Sequence, residues 1–353
     1  MSEVLRTRVR AFRQLCLARL RESYREPEVL FWGFVFPVLL TATLAVAFRS
    51  RPPEPSRAVV LAGPGVETVH KALAQAPLLK AEVATELEAA RALRVGRVDV
   101  VVVPPEAPQR PFTFRLDPSR PEAAVARARV DDALQRAAGR ADPLASRDVE
   151  VSEPGARYVD FLVPGLVGMN LMNAGLWGVG YLLVDMRIKR LLRRLLATPM
   201  RPADFLAAQL VTRVAFTVVE IGFLFGFAHL ALGVPMRGSP LAVLAVAVAA
   251  SLCFAGLGLL VACRARKIET VNGIMNLLML PMLVGSGVFF SIERFPQQVQ
   301  VVLRALPLTA VNDALRAIVL EGAGLASQWP RLLVLGLWGG FSFFAGLRLF
   351  RWS

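Results

Sequence analysis

Residues able to do covalent chemistry are sparse in this chain. The histidines are His70 and His229, far apart in sequence. GxxxxGK[ST], HExxH and GxSxG are all absent, so no phosphate cradle, zinc-protease helix or nucleophile elbow is encoded. Gly63-Pro64-Gly65 follows an apolar run as a phosphate loop would, but it lacks a third glycine and an acidic partner and reads as a plain turn. Cys16, Cys253 and Cys263 have neither CxxC spacing nor a disulfide framework and behave as small apolar residues. The chain is therefore expected to carry no catalytic, cofactor or metal site and to hydrolyse no nucleotide by itself.

Other residues carry polar chemistry into apolar surroundings. Glu220 lies deep in an apolar run, two helical turns beyond Arg213 and on the same face. An ionisable group in hydrocarbon costs several kcal/mol and should face a partner or water. A structural polar link and a transport role both satisfy that, and Arg213 could instead snorkel to the near edge. Asn170 and Asn173 are separated by one helical turn, Ala174 and Gly178 form a small-xxx-small pair, and Asn272 and Asn276 stand at i,i+4. These suit packing within one chain, a dimer seam or the wall of a translocation path. The third feature is basic: Arg187, Ile188, Lys189, Arg190, Leu191, Leu192, Arg193, Arg194, Leu195 and Leu196, closed by Thr198-Pro199. It reads as an amphipathic helix with Ile188, Leu191, Leu192, Leu195 and Leu196 on one stripe. Such a helix is either a topogenic anchor at anionic lipid or a docking surface for a soluble partner.

The elements that position these residues are membrane spans. The chain has 353 residues, 55% hydrophobic, with a mean hydropathy of +0.51, too apolar for an ordinary soluble enzyme. Its charge of +14 sits largely in short loops beside apolar segments, not on a soluble domain as in a nucleic-acid binder. Apolar runs of membrane length occur at residues 29–48, 161–184, 210–232, 241–262, 271–290 and 332–349. The fold class is thus a polytopic α-helical membrane protein with six transmembrane helices. Ala45-Val46-Ala47 resembles a signal-peptidase site, but the long basic region before the run favours an uncleaved anchor.

Residues 1–28 carry seven arginines between Arg6 and Arg25 and read as an amphipathic surface helix. Residues 49–157 are charged and Pro-rich. Strands are expected at 58–62, 98–103 and 112–116, and helices at 66–76, 86–94 and 122–138, making a small α/β domain inserted after the first span. Residues 158–353 hold the other five spans. With basic loops placed inside, both termini are cytoplasmic, and the insert and residues 292–328, read as re-entrant helices, are outside.

Several motifs then carry a resemblance. Arg25-Glu26-Pro27, the run Tyr158-Val159-Asp160-Phe161-Leu162-Val163-Pro164-Gly165, the basic segment 187–200, and Leu306-Pro307-Leu308-Thr309 followed by Asp313-Ala314-Leu315-Arg316 together resemble the type-2 ABC exporter permeases, in the branch with a large extracytoplasmic insert. The resemblance implies a connecting helix at residues 1–28 and a coupling helix at 187–200, where Arg187, Ile188, Arg190, Leu191, Leu192, Arg193, Arg194, Leu195, Thr198 and Pro199 would meet an ATPase. It also implies a homodimer in the inner membrane, with ATP and Mg held by the partner ATPase, exporting a hydrophobic or amphiphilic cargo such as a drug or lipid. The competing reading is a membrane sensor or scaffold relaying ligand binding by the insert. Six spans with intramembrane polar residues exceed what a relay needs, and an adjacent gene for an ATPase or for a kinase would separate the two.

Overall fold

The computed structural model describes residues 3–48, 54–105, 111–141, 157–192, 202–263, 265 and 267–349. The chain divides into two compact units, Ser50–Val151 and the remainder.

Among the described residues of the larger unit, 6 helices are long and apolar enough to cross a membrane: Pro27–Ala47, Tyr158–Ile188, Ala203–Leu232, Pro240–Ala262, Ile268–Gly285 and Leu325–Leu349. They are called the first to sixth spans below. A separate helix, Glu3–Arg25, precedes them. Two spans contain π-helical stretches. In the first, Phe31–Val35 lies just ahead of Pro37, whose missing N–H cannot continue a regular ladder. In the second, Leu176–Tyr181 is rich in glycine.

The fourth span is the hub, packed on both sides through glycines. A Cβ on Gly258 would lie 2.9 Å from Leu176 O and 3.0 Å from Gly175 O of the second span. A Cβ on Gly256 would lie 3.1 Å from Gly339 O of the sixth. Small residues let membrane helices approach to backbone contact, where dispersion replaces the missing hydrophobic drive. The helix Pro307–Glu321, outside the six spans, is buried along most of its length among the second, fourth and sixth spans. It ends at Gly322 with φ 73°, a left-handed stop that glycine adopts without strain.

The smaller unit is an α/β sandwich with strand order β2-β1-β3-β4, where β1 is Ser56–Leu61, β2 Leu79–Ala84, β3 Val100–Val103 and β4 Thr113–Arg115. β1 pairs in parallel with β2 and β3, and β4 is antiparallel to β3. Helices Val66–Ala74 and Pro121–Ala137 cover one face and Glu86–Arg94 the other, around two separate apolar clusters. Central strands buried on both faces read as unbroken valine runs. The expected strands and helices of this unit are present, but β2 was not anticipated. Its Leu79, Ala81 and Val83 alternate with Lys80 and Glu82, the signal that identifies a half-covered edge strand.

Candidate functional site

Three groups of residues on the spans could serve function, and the fold treats each differently. The deepest centres on Glu220, which is 2% exposed. Arg213 Nη2 donates to Glu220 Oε2 at 2.6 Å and Nη1 to Oε1 at 3.3 Å. Arginine therefore turns inward along its own helix and does not snorkel to the membrane edge, correcting one of the two sequence readings. Its Nε also donates to Ser251 Oγ of the fourth span (3.3 Å), and Thr217 Oγ1 lies 2.9 Å from the same hydroxyl. On the other side, a Cβ on Gly33 of the first span would stand 3.3 Å from Glu220 Oε1. Gly33 O would take its α-helical hydrogen bond from residue 37, but Pro37 has no N–H. Asn170 Nδ2 of the second span supplies one at 3.2 Å. Four spans thus meet at one polar node. Ser251, Thr217 and Gly33 were not singled out from the sequence, where each is an unremarked small residue in an apolar run.

The second group faces the fifth span. Trp177 Nε1 of the second span donates to Met279 Sδ (3.1 Å), and a Cβ on Gly180 would collide with Met275, so these spans are neighbours. Asn173 Oδ1 and Asn272 Oδ1 are buried and lack a hydrogen-bond partner among the described residues. Gly178 and Asn276 are exposed at the surface of the single chain, and a Cβ on Gly178 would meet nothing within 4 Å. A side chain of the third span does reach Gly178, Gln209 Nε2 donating to its carbonyl at 3.4 Å, but no helix packs closely against it. Close packing falls to Gly175 and Gly180 instead.

The third group is basic. The second span continues helically to Ile188, and the chain then turns, with Arg190 at φ 56°. Helix resumes at Leu191 and Leu192. One unbroken amphipathic helix from Arg187 is thus not what forms. Because of the break, Ile188 is 46% exposed whereas Leu192 is 1% exposed and packs on Leu183, Phe205 and Ala262. The two leucine-isoleucine positions do not share one stripe. Arg187 points inward and Arg190 is exposed. Arg193, Arg194, Leu195, Thr198 and Pro199 lie outside the described residues.

Among the described residues no group of His, Cys, Asp and Glu could hold a metal ion. His70 Nε2 pairs with Ala81 O and His229 Nδ1 with Val234 O, so both rings tie local backbone together. At the far end of the second span, Arg316 stacks over the Phe161 ring at 3.7 Å and donates to Phe161 O (3.2 Å) and Gly287 O. Burial lowers the Arg316 pKa to about 10 and pushes the neighbouring Asp313 carboxyl up.

Over residues 27–348 the sequence matches the family described as ABC-2 family transporter protein. The chain belongs to that family. It is a multi-pass membrane protein of the ABC-2 permease type. Among curated relatives, ABC transporter G family member 20 of Dictyostelium discoideum is 27% identical over 189 residues, 52% of this chain and 26% of that protein. Nodulation protein J of Bradyrhizobium diazoefficiens is 27% identical over 198 residues, 56% of this chain and 75% of that protein. Nodulation protein J of Rhizobium meliloti is 29% identical over 170 residues, 47% of this chain and 63% of that protein. The match to the Dictyostelium protein thus spans about a quarter of its length.

Proposed function

We propose that this ABC-2 permease is the membrane subunit of an exporter, working as a homodimer in the inner membrane with a separate ATPase. Its cargo is a hydrophobic or amphiphilic molecule, drug-like or lipid-like, taken from the cytoplasm or the inner leaflet. The observation that carries the reading is the set of polar side chains along the second and fifth spans. Asn173 and Asn272 hold buried amide oxygens without a partner among the described residues, and Asn276 is exposed in one copy. Unpaired polar groups inside a membrane unit are costly, and the exposed Asn276 beside them calls for a second copy or a cargo path.

The basic segment 187–200 is read as the coupling helix, with the exposed Arg190, and Arg193 and Arg194 beyond it, meeting the ATPase. The ATPase binds ATP and Mg, and closure of its two copies presses on this segment. The second and fifth spans then tilt and turn the midline path outward. On this reading Glu3–Arg25 is the connecting helix on the cytoplasmic face. Its Arg19 lies 3.1 Å from Met186 Sδ and over the Phe205 ring, joining it to the ends of the second and third spans. Both termini are inside, and the insert and the helices between the fifth and sixth spans are outside. The relay reading finds less support, since the node and these polar side chains lie inside the membrane unit, where a relay would have no use for them.

The test is co-purification with an ATPase encoded beside this gene, followed by hydrolysis assays in lipid with candidate amphiphiles. Replacing Arg190, Arg193 and Arg194 together by Glu is expected to abolish ATPase docking while the permease still elutes as a folded particle. Retained docking and transport would remove the coupling role.

A further inference from the structure

Arginines at both ends of the second span reach out to cap neighbouring helices. A helix C-terminus leaves four carbonyls without intrahelical partners, and it carries the negative end of the helix dipole. At one end of the second span, Arg157 Nη2 donates to Leu232 O and Gly233 O, both at 3.0 Å, where the third span stops. At the other end, Arg187 Nη1 donates to Ala262 O (2.8 Å) and Ala265 O (2.7 Å), and Nη2 lies 3.4 Å from Cys263 O. Ala262 and Cys263 close the fourth span, and Ala265 lies just beyond it. Arg187 sits one residue before the second span itself ends.

The same two spans also touch backbone to backbone one turn before the fourth span ends, where Gly258 meets Gly175, Leu176 and Gly180 of the second. A close contact at one level acts as a pivot, about which two helices can still splay. A second fixed point at their ends removes that freedom. The separation between Gly258 and Ala262 is one helical turn, and Leu259, Ala262 and Cys263 share an apolar cluster with Leu183, Val184, Met186 and Leu192. The segment that follows the turn at Arg190 therefore starts from a joint made of two spans.

We propose that Arg187 is a positioning residue, an inter-helix cap that makes the second and fourth spans a single lever, and that it is not a contact for the ATPase. The inference rests on reading 187–200 as the coupling segment. Force applied beyond Arg190 then moves both spans, and through the Gly256–Gly339 contact the sixth span with them. Arginine suits this task because its planar fork holds several carbonyls at once. Lysine offers a compact point charge whose three donors all sit on one atom, without the fixed fork. Arg187 and Arg190, three residues apart in one basic run, thus have opposite roles: one faces inward to backbone, the other outward.

The experiment uses the full-length protein in lipid nanodiscs, with Cys16, Cys253 and Cys263 replaced by alanine and spin labels at Ile188→Cys and Val261→Cys. Electron paramagnetic resonance reads the distance distribution between the two helix ends, without the ATPase and then with it in the nucleotide-trapped state. Arg187→Gln is expected to broaden and lengthen the distribution, and Arg187→Lys to restore it in part. ATPase docking should stay within about twofold of wild type while cargo-stimulated hydrolysis falls about tenfold. Two results would overturn the proposal. One is a distribution unaffected by either substitution. The other is docking weakened about tenfold with the distribution intact, which would make Arg187 a contact residue. If the wild-type protein binds no ATPase, the coupling reading fails, but the distances measured on the permease alone still decide the cap. If Arg187→Gln does not fold, Arg187→Lys carries the same comparison.

Discussion

Replacing Glu220 by Gln tests the polar node most directly. The side chains of Arg213 and Glu220 are 10% and 3% exposed, so little solvent screening weakens their pairing. Glu220→Gln keeps the shape but removes the negative charge. Arg213 is left cationic in the membrane unit, with Ser251 Oγ and a neutral amide for company. In soluble proteins, breaking a buried pair by removing one partner costs about 3–5 kcal/mol. In a bilayer the insertion penalty for a central arginine is about 2.5–3.5 kcal/mol with snorkelling already included. A loss of about 2–3 kcal/mol follows. The measurement is a double-mutant cycle with Glu220→Gln, Arg213→Gln and the pair, read by reversible unfolding in bicelles. Each single substitution should be more damaging than the double is beyond it, with a coupling energy of about 2 kcal/mol. Additive effects, each under about 1 kcal/mol, would show that the two side chains do not support each other and would refute the reasoning.

Other outcomes follow from the same contacts. Gly258→Ala places a methyl group 2.9–3.1 Å from backbone atoms of the second span, which cannot give as a flexible side chain would. It should cost about 1–3 kcal/mol in thermal stability measured by size exclusion after heating, whereas Gly178→Ala, with open space around it, should cost well under about 1 kcal/mol. Arg316→Met should lower stability by about 2–3 kcal/mol, since two charge-assisted carbonyl bonds and the stacking on Phe161 are lost; an unchanged melting point would show that this bracket is idle. In the smaller unit, hydrogen bonds from Thr85 hold the Glu88 carboxyl below its usual range. A depressed folded-state pKa gives a contribution that is present above the unfolded pKa and lost as pH falls through the folded one. NMR titration should therefore find the Glu88 midpoint below about 4.3, and Thr85→Ala should raise it only part of the way, since the backbone N–H of residue 85 still donates to the carboxylate.

The six spans were legible in the chain because the bilayer imposes its own ruler, about twenty apolar residues per helix. The α/β character of residues 50–151 was legible because strands and helices differ in apolar period, although the edge strand β2 lacked the long apolar run of β1 and β3. Spacing on one helix also told truly where it needed only one helix. Arg213 and Glu220, seven residues apart, do meet. What spacing could not provide is the other half of each contact. Ser251, Gly33 and the carbonyls at 262–265 lie on different elements, and nothing local in their sequence marks them as partners. The break at Arg190 was hidden for a related reason. A basic run with leucines at helical intervals satisfies an amphipathic pattern, and only packing decides that Arg187 turns inward to cap the fourth span. The sequence by itself therefore determined how many helices cross the membrane, where a small sheet forms, and which polar residues must find company. The tertiary structure decided which company each one keeps, because hydrogen bonds and backbone contacts act over about 3 Å and only the packed chain brings distant residues that close.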